Sequence, residues 1–149
     1  MKTLVVYDSL HGNTKKIAQA IGDALAGETK VLHAGEANPA DLKNHDLVFV
    51  GAPTHGGRPS PPMKEFLDKI PANGLEGVKV AAFDTRIPKR WVRIFGFAAG
   101  RIAKSLQGQG GTLIGSPEGF FVEGTEGPLR EGELERAAAW AREIAELAK

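Results

Sequence analysis

Apolar residues follow two alternating periods along this chain. Leu4-Val5-Val6-Tyr7 is a short unbroken apolar run, after which apolar positions recur at Ile17, Ile21, Ala24 and Leu25, the spacing of one helix face. Between them, Asp8-Ser9-Leu10-His11-Gly12-Asn13-Thr14 is mostly small and polar, so the opening predicts strand, tight loop and helix. Thr29 to His33 is a second strand candidate, and Pro39-Ala40-Asp41-Leu42 opens a brief helix. Leu47-Val48-Phe49-Val50 is apolar at every position, the mark of a strand buried on both faces of a parallel sheet. A loop rich in glycine and proline, Gly51 to Pro62, leads to a helix carrying Met63, Phe66, Leu67 and Ile70. Val78 to Phe83 is a fourth strand, ended by Asp84-Thr85-Arg86, and a helical region lies between Trp91 and Leu106. The last strand is expected at Thr112 to Ile114, continuing irregularly toward Val122, with a closing helix from Glu131 to Ala148.

Strands alternating with helices predict an α/β fold, a three-layer sandwich with helices on both faces of a parallel sheet. Ligands in such folds bind beyond the C-terminal ends of the strands, where the strand order reverses. The informative loops are therefore those after the first, third and fourth strands: Ser9 to Thr14, Pro53 to Ser60, and Asp84 to Trp91. All three are unusual in composition. The first aims backbone N–H groups and the positive end of a helix dipole at one point, which suits an anion, most often a phosphate. Ser9, Asn13 and Thr14 add side-chain donors there, and Gly12 allows close approach of the backbone. The same residues also fit an ordinary strand-to-helix turn capped by Asn13 or Thr14. No Gly-Lys-Ser/Thr is present, which argues against a nucleoside triphosphate loop. A phospho-receiver domain would want an aspartate at the end of the third strand, where this chain has Val50-Gly51.

Composition narrows the classes further. A length of 149 residues suits one domain, residues 1–149, with a substantial core. With no cysteine there is no disulfide framework and no thiolate chemistry, and His11, His33, His45 and His55 show no ligand spacing, so no metal is expected. Met1 leads directly into a strand, so neither a signal peptide nor a membrane span is expected, and a cytoplasmic location is the natural reading. A net charge of +1 gives no reason to expect nucleic acid as a partner. The charge is uneven, however: Arg86, Lys89, Arg90 and Arg93 cluster near the third loop, while Glu118, Glu123, Glu126, Glu131, Glu133 and Glu135 read as a solvated face.

The run Val6-Tyr7-Asp8-Ser9-Leu10-His11-Gly12-Asn13-Thr14-Lys15-Lys16-Ile17-Ala18 resembles the N-terminal signature of flavodoxins: an apolar residue, an aromatic, Ser or Thr, a small residue, then Thr and an Ala four later. Gly51-Ala52-Pro53-Thr54 resembles their second flavin loop, and the length resembles the short-chain branch. The resemblance is detailed over the N-terminal third, holds for topology throughout and is poor from Thr85 onward. It implies a doubly wound, five-stranded parallel sheet of order 2-1-3-4-5 with FMN at the switch point. It further implies that Ser9, His11, Gly12, Asn13 and Thr14 hold the phosphate. The ring would lie between Pro53, Thr54, His55, Gly56 and Gly57 on one side and Asp84, Thr85, Arg86 and Trp91 on the other. His55 stands where a planar group would cover the ring, and Gly56-Gly57 either offers a peptide that reorients near flavin N5 or is only a turn.

The third loop departs from the family pattern, which is acidic around the flavin. Positive charge from Arg86, Lys89, Arg90 and Arg93 would favour reduced, anionic flavin and raise its potential, unless solvent screens it. If Trp91 to Leu106 is one helix, Trp91, Phe95, Ala98, Ile102 and Leu106 face the sheet, and Phe97 lies opposite among Arg93, Arg101 and Lys104 as a docking surface. Gly96 and Gly100 would break that wheel. The resemblance implies an FMN-dependent one-electron shuttle between a reductase and an acceptor. Two alternatives are an FMN-dependent NAD(P)H:quinone or porphyrinogen oxidoreductase, with substrate beside His55 and Trp91, and a binding module without flavin. No insertion is present to build a substrate pocket, which favours the carrier.

Overall fold

The computed structural model describes residues 1–55, 57–88 and 97–149, with the backbone alone at His55. The first apolar run forms strand β1 (Lys2–Tyr7), flanked by β2 (Glu28–His33) and β3 (Leu47–His55), both parallel to it. Strand β5 (Lys79–Arg86) lies parallel to β3 on its other side. The fifth position is shared by two short strands, β6 (Thr112–Leu113) beside Lys79–Val80 and β7 (Glu118–Phe121) beside Phe83–Arg86. Taken as one broken strand, they give the order 2-1-3-4-5. Among the described residues seven hydrogen-bonded strands make up this five-position sheet, because the last strand is split and because β4 (Arg58–Pro59) folds back antiparallel onto the end of β3. Gly115-Ser116-Pro117 accounts for the split: it places a left-handed glycine and a donor-less proline in the middle of the strand.

Strand β3 continues past Val50, where the apolar run ends. Gly51, Ala52 and Pro53 stay in register opposite Phe83, Asp84 and Thr85. A Cβ at Gly51 would sit 2.2 Å from the Phe83 ring, so glycine there is a packing requirement and not the start of a loop. Past Pro53 the extension leaves the ladder with β5, and Thr54 and His55 pair instead with Pro59 and Arg58 of β4.

Side-chain alternation along the strands divides the interior into two cores. On one face Leu4, Val6, Val48, Val50, Val80 and Ala82 pack with Met63, Phe66 and Leu67 of helix α2 (Pro61–Asp68) and with Ala98, Ile102 and Leu106 of helix α3 (Ala98–Gly108). On the other, Val5, Tyr7, Phe49, Ala81 and Phe83 pack with Ile17 and Ile21 of α1 (Asn13–Ala24) and with Trp140 and Ile144 of α4 (Glu133–Leu147). Trp140 centres an aromatic cluster, edge-on to Phe49 at 5.5 Å, Phe120 at 5.8 Å and Phe83 at 6.2 Å between ring centroids. Pro39–Asn44 is a single 3₁₀ stretch capped by the Asn38 side chain.

Helix α4 is joined to β7 by a compact polar network. Glu133 accepts from the Phe121 N–H at 2.7 Å and from Arg136 Nε at 2.9 Å, and Arg136 also reaches Glu118 and the Gly119 carbonyl. Burial alone would raise the Glu133 carboxyl. Arg136, the Phe121 N–H and Arg130 outweigh that effect and hold it below the usual carboxylate range.

Candidate functional site

The loop after β1 enters α1 through Gly12, which is left-handed at φ 89°, and no side chain caps the helix. Ser9 Oγ accepts from the Gly12 N–H at 3.0 Å, which curls the loop and leaves the Ser9 proton to donate outward. The Thr14 hydroxyl is buried and pairs with the Thr85 hydroxyl at 2.7 Å, tying this loop to the end of β5. Asn13 spends one side-chain N–H on the Glu126 carbonyl at 3.2 Å. It is therefore a tether to the loop after β7 and not the uncommitted donor that its place in the sequence suggests. Gly127 makes room for it, since a Cβ there would lie 2.7 Å from Asn13 Nδ2.

Of the residues expected from sequence, Ser9, His11, Asn13, Thr14, Pro53, Thr54, Thr85 and Arg86 line one cleft at the C-terminal edge of the sheet. Gly12 is not among the lining residues and serves as the left-handed entry to α1. Thr54 has a second role, because its Oγ1 accepts from the Ala98 N–H at 3.1 Å and so caps α3. Gly57 is buried, with φ 79°, and its carbonyl accepts from Arg101 Nε at 2.9 Å. Gly56, Trp91, Lys89, Arg90 and Arg93 lie outside the described residues, as does the His55 side chain.

Two expectations are corrected. Asp84 does not line the cleft: it is fully buried, and its two oxygens take Arg86 Nε at 2.7 Å, Arg86 Nη2 at 2.8 Å and the Ala99 N–H at 2.9 Å. Burial pushes its carboxyl above the usual range, while Arg86, Ala99 and Thr54 pull it back. Arg86 is accordingly half of an ion pair instead of a free cation, so its charge cannot simply be added to the field at the cleft. Phe97 is not an exposed docking aromatic. It is half-buried, with the Arg86 guanidinium 3.5 Å from its ring centroid. It stands at the N-cap of α3 in extended conformation, so the wheel drawn through Trp91 to Leu106 does not reach it; Ala98, Ile102 and Leu106 do face the core. Arg101 and Lys104 are exposed.

Sequence reasoning missed Leu10, Ile87, Val122 and Thr125, which complete the cleft wall. Thr125 comes from the loop after β7, where the only signal was the group Gly124, Gly127 and Pro128. It also missed the role of Asp8, which is buried at the base of the loop. Asp8 accepts from Ser60 Oγ at 2.5 Å and pairs with His33 Nε2 at 2.8 Å, so it joins the ends of β1 and β2 to the start of α2.

The flavodoxin family profile matches residues 5–140. The chain belongs to the flavodoxin family. A flavodoxin of Aquifex aeolicus is 40% identical over 73 residues, a match covering 46% of this chain and 40% of that protein. The chain spans about half the length of the curated relatives it matches. Among solved structures, a flavodoxin from the domain Archaea superposes with a TM-score of 0.82 at 26% identity, covering 99% of both chains. Flavodoxin 2 of Bacillus cereus gives 0.84 at 24% identity, covering 98% of this chain and 99% of that one.

Flavodoxins carry FMN and act as electron carriers toward redox partners. The cleft of this flavodoxin fits such a cofactor in its donor chemistry. Five hydroxyls (Ser9, Thr14, Thr54, Thr85 and Thr125), an amide and an arginine line it, and among the described residues none that lines it is an acid. Together with the uncapped start of α1, that is an environment for a dianion. No helix among the described residues is long and apolar enough to cross a membrane.

Proposed function

We propose that this chain binds FMN at the sheet edge and shuttles single electrons between a reductase and an acceptor. The observation that carries the reading is the uncapped, glycine-entered N-terminus of α1 opening into an acid-free, hydroxyl-lined cleft at the switch point between β1 and β3. Ser9, Gly12 and Thr14, with the N–H groups of the first turn of α1, hold the phosphate. His11 closes the loop from outside. Pro53, Thr54 and the Gly56–Gly57 segment form one wall of the ring site, and Thr85, Arg86 and Trp91 form the other. FMN, when bound, supplies the reversible redox chemistry. The protein positions it, keeps water from its buried side and leaves an edge open to a partner.

Arg101 and Lys104, exposed on α3 beside the cleft, are the described part of a surface for an acidic partner, with Arg93 as a further member. The 149 residues act as a single domain, in the cytoplasm. The test is the visible absorption and flavin fluorescence of the purified protein as FMN is added. Quenching at one equivalent is expected, and no quenching would overturn the reading. Stopped-flow reduction by NAD(P)H then separates carrier from enzyme: reduction should be slow without a reductase, and rapid reduction by NAD(P)H alone would make the chain an oxidoreductase in its own right.

A further inference from the structure

Among the described residues that line the cleft, Arg86 is the one arginine or lysine, and its surroundings are built to hold it still. Asp84, two residues earlier on the same side of β5, takes Nε and Nη2 in a fork-to-fork pair. The Phe97 ring lies against one face of the guanidinium, with its centroid 3.5 Å from Cζ. Gly119 stands alongside on the neighbouring strand β7, in register with Asp84. A Cβ at Gly119 would come within 2.2 Å of Arg86 Cζ and Nε, so any larger residue would evict the guanidinium. The side chain is 17% exposed and its carboxylate partner 0%. Nε and Nη2 are thus committed to Asp84, and Nη1 takes no part in that pair.

We propose that Asp84, Phe97 and Gly119 form a clamp that presents Arg86 to the cofactor as a fixed hydrogen-bond donor without net charge. Asp84 is then a positioning residue: it holds Arg86, which touches the cofactor, and cancels the charge that would otherwise favour reduced over oxidised flavin, an inference that rests on FMN being the ligand. The basic side chain at this position does not raise the potential as a free cation would, because its counter-charge is built in beside it. The guanidinium still contributes direction: a flat, immobilised donor discriminates by geometry, where a mobile lysine would contribute mainly charge.

The experiment uses the full chain and measures FMN binding by fluorescence quenching, together with the midpoint potential of the bound cofactor at neutral pH. In Asp84→Asn the arginine keeps a hydrogen-bond partner but loses its counter-charge. The ratio of affinities for reduced over oxidised FMN should rise at least tenfold, which for a two-electron couple is a potential about 30 mV higher. In the double variant Asp84→Asn/Arg86→Gln both charges and the fixed donor are gone, so affinity for oxidised FMN should fall at least tenfold while the ratio returns to within threefold of the parent. Removing one partner of a buried pair can unfold a protein, whereas a neutral, hydrogen-bonding replacement of both is better tolerated, so the double variant decides the matter if the single one does not fold. A tenfold fall in the ratio for the double variant would mean that Arg86 acts as a free cation, and an unchanged ratio in a folded Asp84→Asn, or an unchanged FMN affinity in the double variant, would mean that the pair is remote from the cofactor. Either result overturns the proposal while FMN still binds. A parent chain that binds no FMN overturns the cofactor reading itself, so the two failures are distinct.

Discussion

Single residues in the first loop do separable jobs, which substitution can tell apart. Thr14→Ala removes a buried hydroxyl that is paired with Thr85 at the start of α1. FMN affinity should fall about tenfold, about 1.4 kcal/mol, with riboflavin affinity little changed, as measured by fluorescence titration of both. Equal loss for both ligands would move Thr14 out of the phosphate site. Gly12→Ala acts differently, because a Cβ there meets no atom within 4 Å yet the backbone stays at φ 89°. The expected cost is conformational, about 1–2 kcal/mol, seen as a lower melting temperature of the FMN-free protein. At this scale the sequence was readable wherever function depends on local spacing. Ser9 and Thr14 are five positions apart around one strand-to-helix loop, and the fold brings both to the same cleft. The pairing of Asp84 with Arg86 was in principle visible from the two-residue period of a strand, which puts both on one face. Phe97 and Gly119 were out of reach, since each comes to the guanidinium from a different element.

Among elements, β1, β3 and β5, which make the sheet interior, were recognisable because burial on both faces demands continuous apolar or β-branched runs. The end of β3 and the fifth strand were not, for the same physical reason in both cases. Their glycines and prolines serve packing and strand breaks, and composition alone does not distinguish these from loop residues. The joint between β7 and α4 was read as a solvated acidic face, yet Glu133 is 5% exposed and holds the Phe121 N–H and Arg136. Its folded carboxyl titrates below its unfolded value of 4.5, so the stabilisation is fully present above that value and is lost as pH falls through the lower, folded one. Glu133→Gln should therefore lower stability at neutral pH by about 1–3 kcal/mol and flatten the acid limb of a melting-temperature profile below about pH 4.5. Asp84 runs the other way. Its raised value means that its contribution is fully present below 3.8 and is lost as pH rises through the folded value, so its ionisation opposes folding.

For the whole molecule, the two cores share one sheet, and damage to either should be felt by both. Phe49 is fully buried against Trp140 on the α1–α4 face, while Val48 and Val50 beside it point to the α2–α3 face. Phe49→Ala should cost about 3–5 kcal/mol, with far-UV circular dichroism and Trp fluorescence reporting one coincident transition. Two separated transitions would mean that the faces unfold independently. The tether from Asn13 to the Glu126 carbonyl joins positions 113 residues apart in the chain. During synthesis, β1 and its loop leave the ribosome long before the residues that complete the cleft exist. A nascent chain halted before Glu118 would display the first loop without Val122 and Thr125 of the cleft wall, so the cleft is completed only once segments far apart in the chain have both folded.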